Sequence, residues 1–263
     1  MVRPAGGPRS AWLGDIGHPL AWIVAPLLLW EIAVRLFRVP DFILPLPSQV
    51  ALRIVADRDT LLLQAARSTL LILEGFLLGA VPGLAMGLAI ASSRLLEKAL
   101  YPVIVFVQTT PQIAFAPLLI VWFGYGALPK VLLAGMLTFF PVLVDSSTGF
   151  KTIDRRLFHV TRSMGASRWQ TFARMQLPSA LPLILSGCRI SILTAVTVVV
   201  VVEFLSSNEG LGYVAVRALS NQDLSLMFAA IFAAIGIGLA LSYLVDASEL
   251  VLMPWERSRR RDG

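Results

Sequence analysis

Six apolar segments, each close to the length that crosses a bilayer, divide the 263-residue sequence. They cover residues 19–37, 69–91, 100–123, 129–150, 181–205 and 226–252. A membrane-spanning helix needs about 20 mostly apolar residues. Lipid offers no hydrogen bonds, and a helix satisfies its backbone groups within its own segment. The segments therefore predict an all-α polytopic membrane protein with about six transmembrane helices.

Composition supports the same class of protein. The chain is 57% hydrophobic and 14% charged, whereas a soluble domain has about 25% charged residues. The first apolar segment is longer than the core of a typical signal peptide and contains Trp30 and Glu31, so it is interpreted as a retained span. The membrane domain is therefore predicted over residues 19–255, between an N-terminal tail of residues 1–18 and a basic tail of residues 256–263.

The Lys and Arg residues are divided unevenly between the two sides of the predicted bundle. With both termini in the cytoplasm, fourteen of them face the cytoplasm and seven face the exterior. Basic residues concentrate in cytoplasmic loops, so this orientation is predicted for a multi-pass protein of the cell inner (plasma) membrane. The basic residues punctuate apolar runs and form no patch with aromatics, which favours membrane lipid over nucleic acid as a partner.

The longest polar stretch is also the most basic, with six Lys or Arg residues between positions 151 and 174. Gly165 can end a short helix in the left-handed conformation. Ser167 and Gln170 have the capping-box spacing that starts another helix. Leu177-Pro178 is expected to stop that second helix before the next apolar segment. The stretch therefore predicts a folded cytoplasmic loop between helices 4 and 5.

This loop, residues 154–178, carries a recognisable motif: Gly165, nine residues, Met175, one residue, then Leu177-Pro178. The pattern resembles the EAA loop of permease subunits in bacterial ATP-driven (ABC) importers, the binding-protein-dependent transport inner-membrane components. The motif of that family reads Glu-Ala-Ala, three residues, Gly, nine residues, Ile, one residue, Leu-Pro. The sequence departs from it at the front, where His159-Val160-Thr161 replaces Glu-Ala-Ala.

The resemblance implies a transport subunit that is not itself an enzyme. Its implied partners are a second permease copy in a homodimer, two cytoplasmic ABC ATPase subunits and an extracytoplasmic substrate-binding protein. ATP and Mg would be bound by the ATPase, and this chain would bind no cofactor. In the coupling loop, Gly165 would supply the turn, and Ala166 and Ser167 the start of the second helix. Trp169 and Phe172 would present an apolar face to the ATPase, or would pack onto helices of their own subunit.

Polar side chains concentrate around Pro111 in the third apolar segment. They are Gln108, Thr109, Thr110 and Gln112. Hydrogen-bonding groups at membrane depth are tolerated where they face protein or a water-filled path. These residues are therefore predicted to line the translocation path. The alternative is that they bond the backbone groups that Pro111 leaves free.

Glu203 is the second candidate for the translocation path, at the end of the fifth apolar segment. The segment that follows it, Ser206 to Tyr213, resembles the branch of the family that imports sulfonates, taurine, nitrate, or vitamin and pyrimidine precursors. Glu203 lies either near an external gate or at the membrane interface, where it would anchor the helix end. The implied solute is small and either polar or anionic.

Small residues form a ridge in the second apolar segment. Gly75, Gly79, Gly83 and Gly87 recur at every fourth position. Such a series lets a second helix backbone approach closely. Packing within the subunit is the favoured interpretation, and contact with a second copy is the alternative.

The motifs of several other classes of protein are missing from the sequence. It contains no G-x-x-x-x-G-K-[ST] loop for ATP phosphates and no H-E-x-x-H pair. Its two His residues and single Cys are too few and too separated for a metal site. An ion-coupled secondary transporter is the alternative function, because intramembrane carboxylates suit ion coupling. That class does not predict the Gly165 to Pro178 motif.

Overall fold

The computed structural model describes residues 11–153, 155–206 and 208–254. Within these ranges the chain forms eleven α-helices and no β-strand. They are α1 (Ala11–Leu36), α2 (Pro47–Ala56), α3 (Arg58–Ser92), α4 (Arg94–Thr109), α5 (Ala116–Phe123), α6 (Ala127–Lys151), α7 (Arg155–Ser163), α8 (Arg168–Thr171), α9 (Leu177–Ser206), α10 (Leu211–Ser220) and α11 (Leu224–Leu252). The all-α prediction is confirmed. Residues 1–10 and the predicted basic tail, 256–263, lie outside the described residues.

Four helical segments are long and apolar enough to cross a membrane. They are α3, α6, α11 and the segment Arg168–Leu205, which includes all of α9 except Ser206. A bent pair formed by α4 and the segment Gln112–Phe123 brings the number to five within the described part of the chain. The first predicted span, residues 19–37, falls on α1, which is not among the five. A total of six spans therefore stays a prediction.

The centre of the fold is the packing of α6 between α3 and α9. Ile72 of α3, Leu133 and Ala134 of α6 and Val199 of α9 are fully buried in one apolar cluster. The hydroxyl of Ser191 on α9 donates a 2.8 Å hydrogen bond to the carbonyl oxygen of Thr138 on α6. These three helices form the frame to which the other elements attach.

The glycine ridge of α3 lies against α6. A methyl group at Gly75 would lie 2.5 Å from Ala134 Cβ, and one at Gly87 would lie 2.8 Å from Ser146 Cβ. The α6 backbone closes on Gly79 and Gly83 in the same way. Only a residue without a side chain permits this approach. The ridge packs within the subunit, and α6 occupies the face that a second copy would need.

The helix of the third predicted span is interrupted near its middle. After α4 ends at Thr109, Thr110 adopts an extended conformation, and a short 3₁₀ helix (Gln112–Phe115) leads into α5. The two parts are bent by 75°. Pro111 explains the break, because proline lacks an N–H and disfavours a helical conformation at the residue before it.

The expected helix stop at Leu177-Pro178 is wrong. The chain stays helical from Arg168 to Leu205, through a π-helical turn over Phe172–Gln176 and into α9. Proline removes one backbone donor and its ring crowds the carbonyl four residues before it. The wider π turn directly before Leu177 relaxes this crowding, since it changes the hydrogen-bond spacing where the ring would clash. The loop therefore ends in a helix that continues into a span.

A second apolar cluster holds the shorter helices α2 and α10 against α3 and α11. Its buried members include Val50 of α2, Leu61 of α3, Leu211 of α10 and Ala229 of α11. Pro47 occupies the first turn of α2, where its missing N–H has no intrahelical partner to lose. α10 begins after Gly210, whose φ of +100° favours glycine.

Candidate functional site

The glycine turn of the loop at residues 154–178 has the predicted geometry. Gly165 has a φ of +74°, and the N–H of Ala166 donates a 3.0 Å hydrogen bond to the carbonyl oxygen of Thr161. This bond closes the end of α7 in the manner of a glycine C-cap. A Cβ at Gly165 would meet no atom within 4 Å. Backbone conformation, and not space, is therefore what selects glycine here.

The second short helix of the loop begins with the predicted capping box. The N–H of Ser167 donates to Gln170 Oε1 at 2.8 Å, and the N–H of Gln170 donates to Ser167 Oγ at 3.2 Å. The prediction of this helix start is confirmed. Because both bonds join residues three apart, the start of α8 is fixed locally, without support from the rest of the bundle.

The two aromatic residues of the loop have different surroundings. Trp169 is 72% exposed. Phe172 is half-buried and stacks on Phe150 of α6, with ring centroids 6.2 Å apart. The rings of Trp169 and Phe172 lie 5.8 Å apart. Phe172 thus anchors the loop to its own subunit and supports Trp169, which presents its surface to solvent.

Of the remaining loop residues, Ala166 is half-buried directly after the glycine turn, and Leu177 and Pro178 are half-buried at the start of α9. In the segment that replaces Glu-Ala-Ala, the side chain of His159 lies outside the described residues, and Val160 is exposed. Lys151, just before the loop, forms a 2.9 Å ion pair with Glu97 of α4. This pair connects the end of α6 to α4, the first part of the broken span.

Three of the predicted path residues meet at one cavity. Gln108, Thr110 and Gln112 line a groove of about 460 Å³ together with residues of two neighbouring helices. Those residues are Leu137, Phe140 and Pro141 of α6 and Thr194 of α9. The groove therefore runs between the break after α4 and the central helices.

The same polar side chains also bond the backbone at the break. Gln112 Nε2 donates to the carbonyl oxygen of Val107 at 3.1 Å. The hydroxyls of Thr109 and Thr110 donate to the carbonyl oxygen of Phe106 at 2.8 and 3.1 Å. Val107 is the residue whose carbonyl an N–H at position 111 would have bonded, and proline has none. These bonds support the alternative, in which the side chains bond backbone groups at the break, and a role in the translocation path stays a prediction. Thr109 takes part in the backbone bonding without lining the groove.

Glu203 lies apart from this groove, in a polar cluster at the opposite end of α9 from the loop. It is 1% exposed. The hydroxyl of Ser68 lies 2.8 and 3.0 Å from its two carboxylate oxygens, and the N–H of Gly212 donates to Glu203 Oε2 at 2.8 Å. Lys130 is 2% exposed and attracts the carboxylate electrostatically. We call Gln64, Ser68, Lys130, Glu203 and the backbone of Gly210 to Gly212 the Glu203 cluster.

The sequence did not reveal the partners of Glu203. Gln64 and Ser68 belong to α3, well over a hundred residues earlier in the chain, and Lys130 begins a different span. The available signal was their spacing: two polar residues four apart lie on the same face of a helix. Among the described residues no cluster of His, Cys, Asp or Glu suits a metal ion.

An all-helical membrane chain with a groove at a broken span and a folded basic loop between two spans has the architecture of a transport permease. Comparison with known proteins identifies the family. The chain belongs to the binding-protein-dependent transport system inner membrane components, which match residues 81–257. It is thus a permease subunit of an ABC importer, as the loop motif implied.

Curated relatives align with nearly the whole chain. The formylaminopyrimidine transport permease protein ThiX of Halalkalibacterium halodurans is 34% identical, over 92% of this chain and 97% of its own. The riboflavin transport system permease protein RibX of Chloroflexus aurantiacus is 38% identical, over 92% and 91%. The putative aliphatic sulfonates transport permease protein SsuC of Bacillus subtilis is 31% identical, over 97% and 92%.

A solved structure shares the fold. A chain of the MetNI methionine ABC transporter in an inward-facing conformation superposes with a TM-score of 0.58. The match covers 72% of this chain and 95% of that chain, at 17% sequence identity. The predicted recognition of the family and the all-α polytopic fold are confirmed by these matches.

Proposed function

We propose that this permease couples a separate cytoplasmic ATPase, through its coupling loop, to the passage of a small polar or anionic solute. The observation that carries the proposal is the exposed Trp169 on a capped helix that continues into a span. An exposed tryptophan on a locally fixed surface is typical of a protein contact. Closure of two ATPases around ATP and Mg would move the loops, and the continuous helix would carry that movement into the membrane.

The groove supports a path formed between two copies of the chain. Gln108, Thr109 and Pro111 are exposed in the single chain, beside backbone that is not helical. Irregular backbone at membrane depth does not face lipid and is covered by protein or by a water-filled cavity. A homodimer with the two breaks facing each other satisfies this condition. The glycine ridge does not contribute to that interface, because α6 covers it.

The side chains of the groove support a small solute with hydrogen-bonding groups. The described residues that line it offer amides and hydroxyls from the break, mainly apolar surface and the hydroxyl of Thr194 from the central helices, and no ionised group. This chemistry suits the solute types in the names of the relatives: a formylaminopyrimidine, riboflavin and aliphatic sulfonates. We propose a sulfonate, taurine, nitrate, or a vitamin or pyrimidine precursor, delivered by an extracytoplasmic binding protein.

The orientation follows from the loop. An ATPase of this kind works in the cytoplasm, so the loop at residues 154–178 faces the cytoplasm. With the six spans predicted from the sequence, both termini would lie there too. The excess of Lys and Arg on that side supports this arrangement.

Co-purification tests the proposed function. The chain is expressed with the ATPase subunit of its own transport system and purified in mild detergent. Trp169→Ala is compared with wild type and with Met164→Ala, a control that removes an equally exposed apolar side chain (80%) from the same loop. We expect the ATPase to remain with wild type and Met164→Ala and to be lost from Trp169→Ala. Failure of the ATPase to bind wild type, with solute uptake driven by an ion gradient alone, would establish the secondary transporter instead.

A further inference from the structure

One helix connects the coupling loop to the Glu203 cluster. The segment Arg168–Leu205 is helical over 38 residues, a length of about 57 Å at 1.5 Å per residue. Trp169 lies in its first turn and Glu203 in its last. A displacement of the loop therefore reaches Glu203 through a single helix, with the π turn at Phe172–Gln176 as its irregular point.

At the far end of that helix, side chains of two other elements accept three successive N–H groups that begin α10. The N–H of Gly210 donates to Gln64 Oε1 at 2.7 Å, that of Leu211 to Ser68 Oγ at 2.9 Å, and that of Gly212 to Glu203 Oε2 at 2.8 Å. The first N–H groups of a helix have no intrahelical partner. Here α3 and α9 supply the cap that Gly210 cannot provide. The carboxylate is also favoured by the positive end of the α10 dipole.

The atoms around Glu203 are closely packed. A methyl group at Gly212 would lie 2.5 Å from Glu203 Cβ and 2.5 Å from the carbonyl oxygen of Val200. Ser68 is fully buried, and its hydroxyl joins the carboxylate to the N–H of Leu211. An unpaired polar group in such a place is costly. The start of α10 is therefore held in one position relative to α9 and α3.

α10 in turn forms a wall of a second cavity. This cavity, of about 390 Å³, lies beside α10 and the end of α9. Tyr213, Arg217 and Asn221 line it from the α10 side, and Tyr125 and Phe204 line it from the other. The position of α10 thus sets the shape of a cavity at the end of the bundle away from the loop.

We propose that Glu203 is a positioning residue that fixes α10 to α9 and α3, so that movement of α9 reshapes the cavity beside α10. The transmission of movement rests on the proposed function of the coupling loop. The attachment of α10 does not, because it depends only on the contacts within this chain. The two parts are tested separately.

The first experiment measures the attachment in the purified chain in mild detergent. Cys188→Ser removes the single cysteine, and spin labels are placed at Leu62→Cys on α3 and Asn221→Cys after α10, both exposed positions. A control pair is placed at Leu77→Cys and Val144→Cys on α3 and α6. In wild type we expect one narrow distance distribution for each pair.

Two variants then remove one contact each. In Glu203→Gln an NH2 group, which donates, replaces one of the two oxygens that accept from Ser68 and Gly212. In Ser68→Ala the N–H of Leu211 loses its partner. We expect the population of a second, displaced α10 distance to rise about tenfold or more in each, with the control pair unchanged. Ser68→Thr, which keeps a hydroxyl, should restore the wild-type distribution. A wild-type α10 distance distribution in either folded variant would overturn the proposal. Each variant is a test by itself, so one of them is sufficient if the other fails to fold.

The second experiment adds the ATPase, Mg and ATP with vanadate. We expect the α10 pair to shift in wild type and not in Glu203→Gln, while the ATPase stays bound to both. Equal shifts in both proteins would overturn the positioning role. ATPase binding without any shift in wild type would instead contradict the transmission of movement from the loop, and absence of binding would contradict the proposed function.

Discussion

The two ends of the helix Arg168–Leu205 differ in exposure. Trp169, at the loop end, is 72% exposed, whereas Glu203, at the other end, is only 1% exposed. The hydrogen bonds differ in the same way. Ser167 and Gln170 cap the loop end across three residues, while Glu203 bonds Ser68, which is 135 residues away. The start of the helix at the loop end is formed by bonds between residues close in sequence, and its exposed ring is available to a partner. The Glu203 end exists only when several helices have come together.

This contrast separates two kinds of importance. Substitutions at the Glu203 end should change the stability and internal geometry of the chain. Substitutions at the loop end should leave the bundle intact and change what it binds. Substitutions at the two ends can therefore be told apart by measuring stability and ATPase binding separately.

Removing the carboxylate should give the largest loss of stability. Glu203→Ala leaves the Ser68 hydroxyl, the Gly212 N–H and the Lys130 charge buried without this partner. Each buried donor left without its acceptor costs about 1–3 kcal/mol. We expect a clear fall in the unfolding temperature in detergent. The control Glu209→Ala removes a carboxylate from a half-exposed ion pair with Arg67 and should change stability by less than about 1 kcal/mol. Equal losses would show that burial is not what matters at this end.

A substitution at Gly165 should have the next largest effect, and that effect should be on ATPase binding. Gly165 has a φ of +74° and open space around it, so Gly165→Val introduces only backbone strain, about 1–2 kcal/mol. We expect this strain to move α8 out of position and abolish co-purification of the ATPase, while the unfolding temperature of the chain changes little. Gly165→Asn is the matched control, because asparagine tolerates the left-handed region. Loss of the ATPase from the asparagine variant would contradict a purely conformational role.

The aromatic pair should show a modest loss of stability at one ring and almost none at the other. Phe172→Ala removes a half-buried ring that stacks on Phe150, and we expect a loss of about 1–2 kcal/mol, since burial is partial. Trp169→Ala removes a ring that faces solvent, and the unfolding temperature should stay near that of wild type. Thermal unfolding of both variants in detergent measures the difference. A larger loss for Trp169→Ala would mean that this ring packs within the subunit after all.

The same contrast explains how much could be predicted from the sequence. The turn at Gly165 and the cap at Ser167 depend on neighbours in the chain, and both predictions are correct. The helix stop at Leu177-Pro178 was predicted by the usual effect of proline and is wrong, because a π turn just before it accommodates the ring. Local rules recognise a proline but do not show how the preceding turn adjusts.

Contacts between residues distant in sequence could be predicted only in part. The spacing of the four glycines indicated a packing ridge, but only the assembled fold shows that α6 fills it. Glu203 stood out as a carboxylate after an apolar run, yet Gln64 and Ser68 did not, because nothing in their neighbourhood on α3 points to α10. Partners from separate helices become apparent only once the helices are placed side by side.

Cross-linking at Trp169 tests the central claim most directly. Trp169→Cys in the Cys188→Ser background places a single thiol on the exposed face of α8. With the ATPase subunit and the permease reconstituted in liposomes, a short bifunctional reagent should join this thiol to the ATPase. A single thiol placed instead by Leu62→Cys, at the Glu203 end of the bundle, should not be joined to the ATPase. Cross-linking from both positions, or from neither while the ATPase is active and bound, would contradict the assignment of the loop end as the ATPase contact.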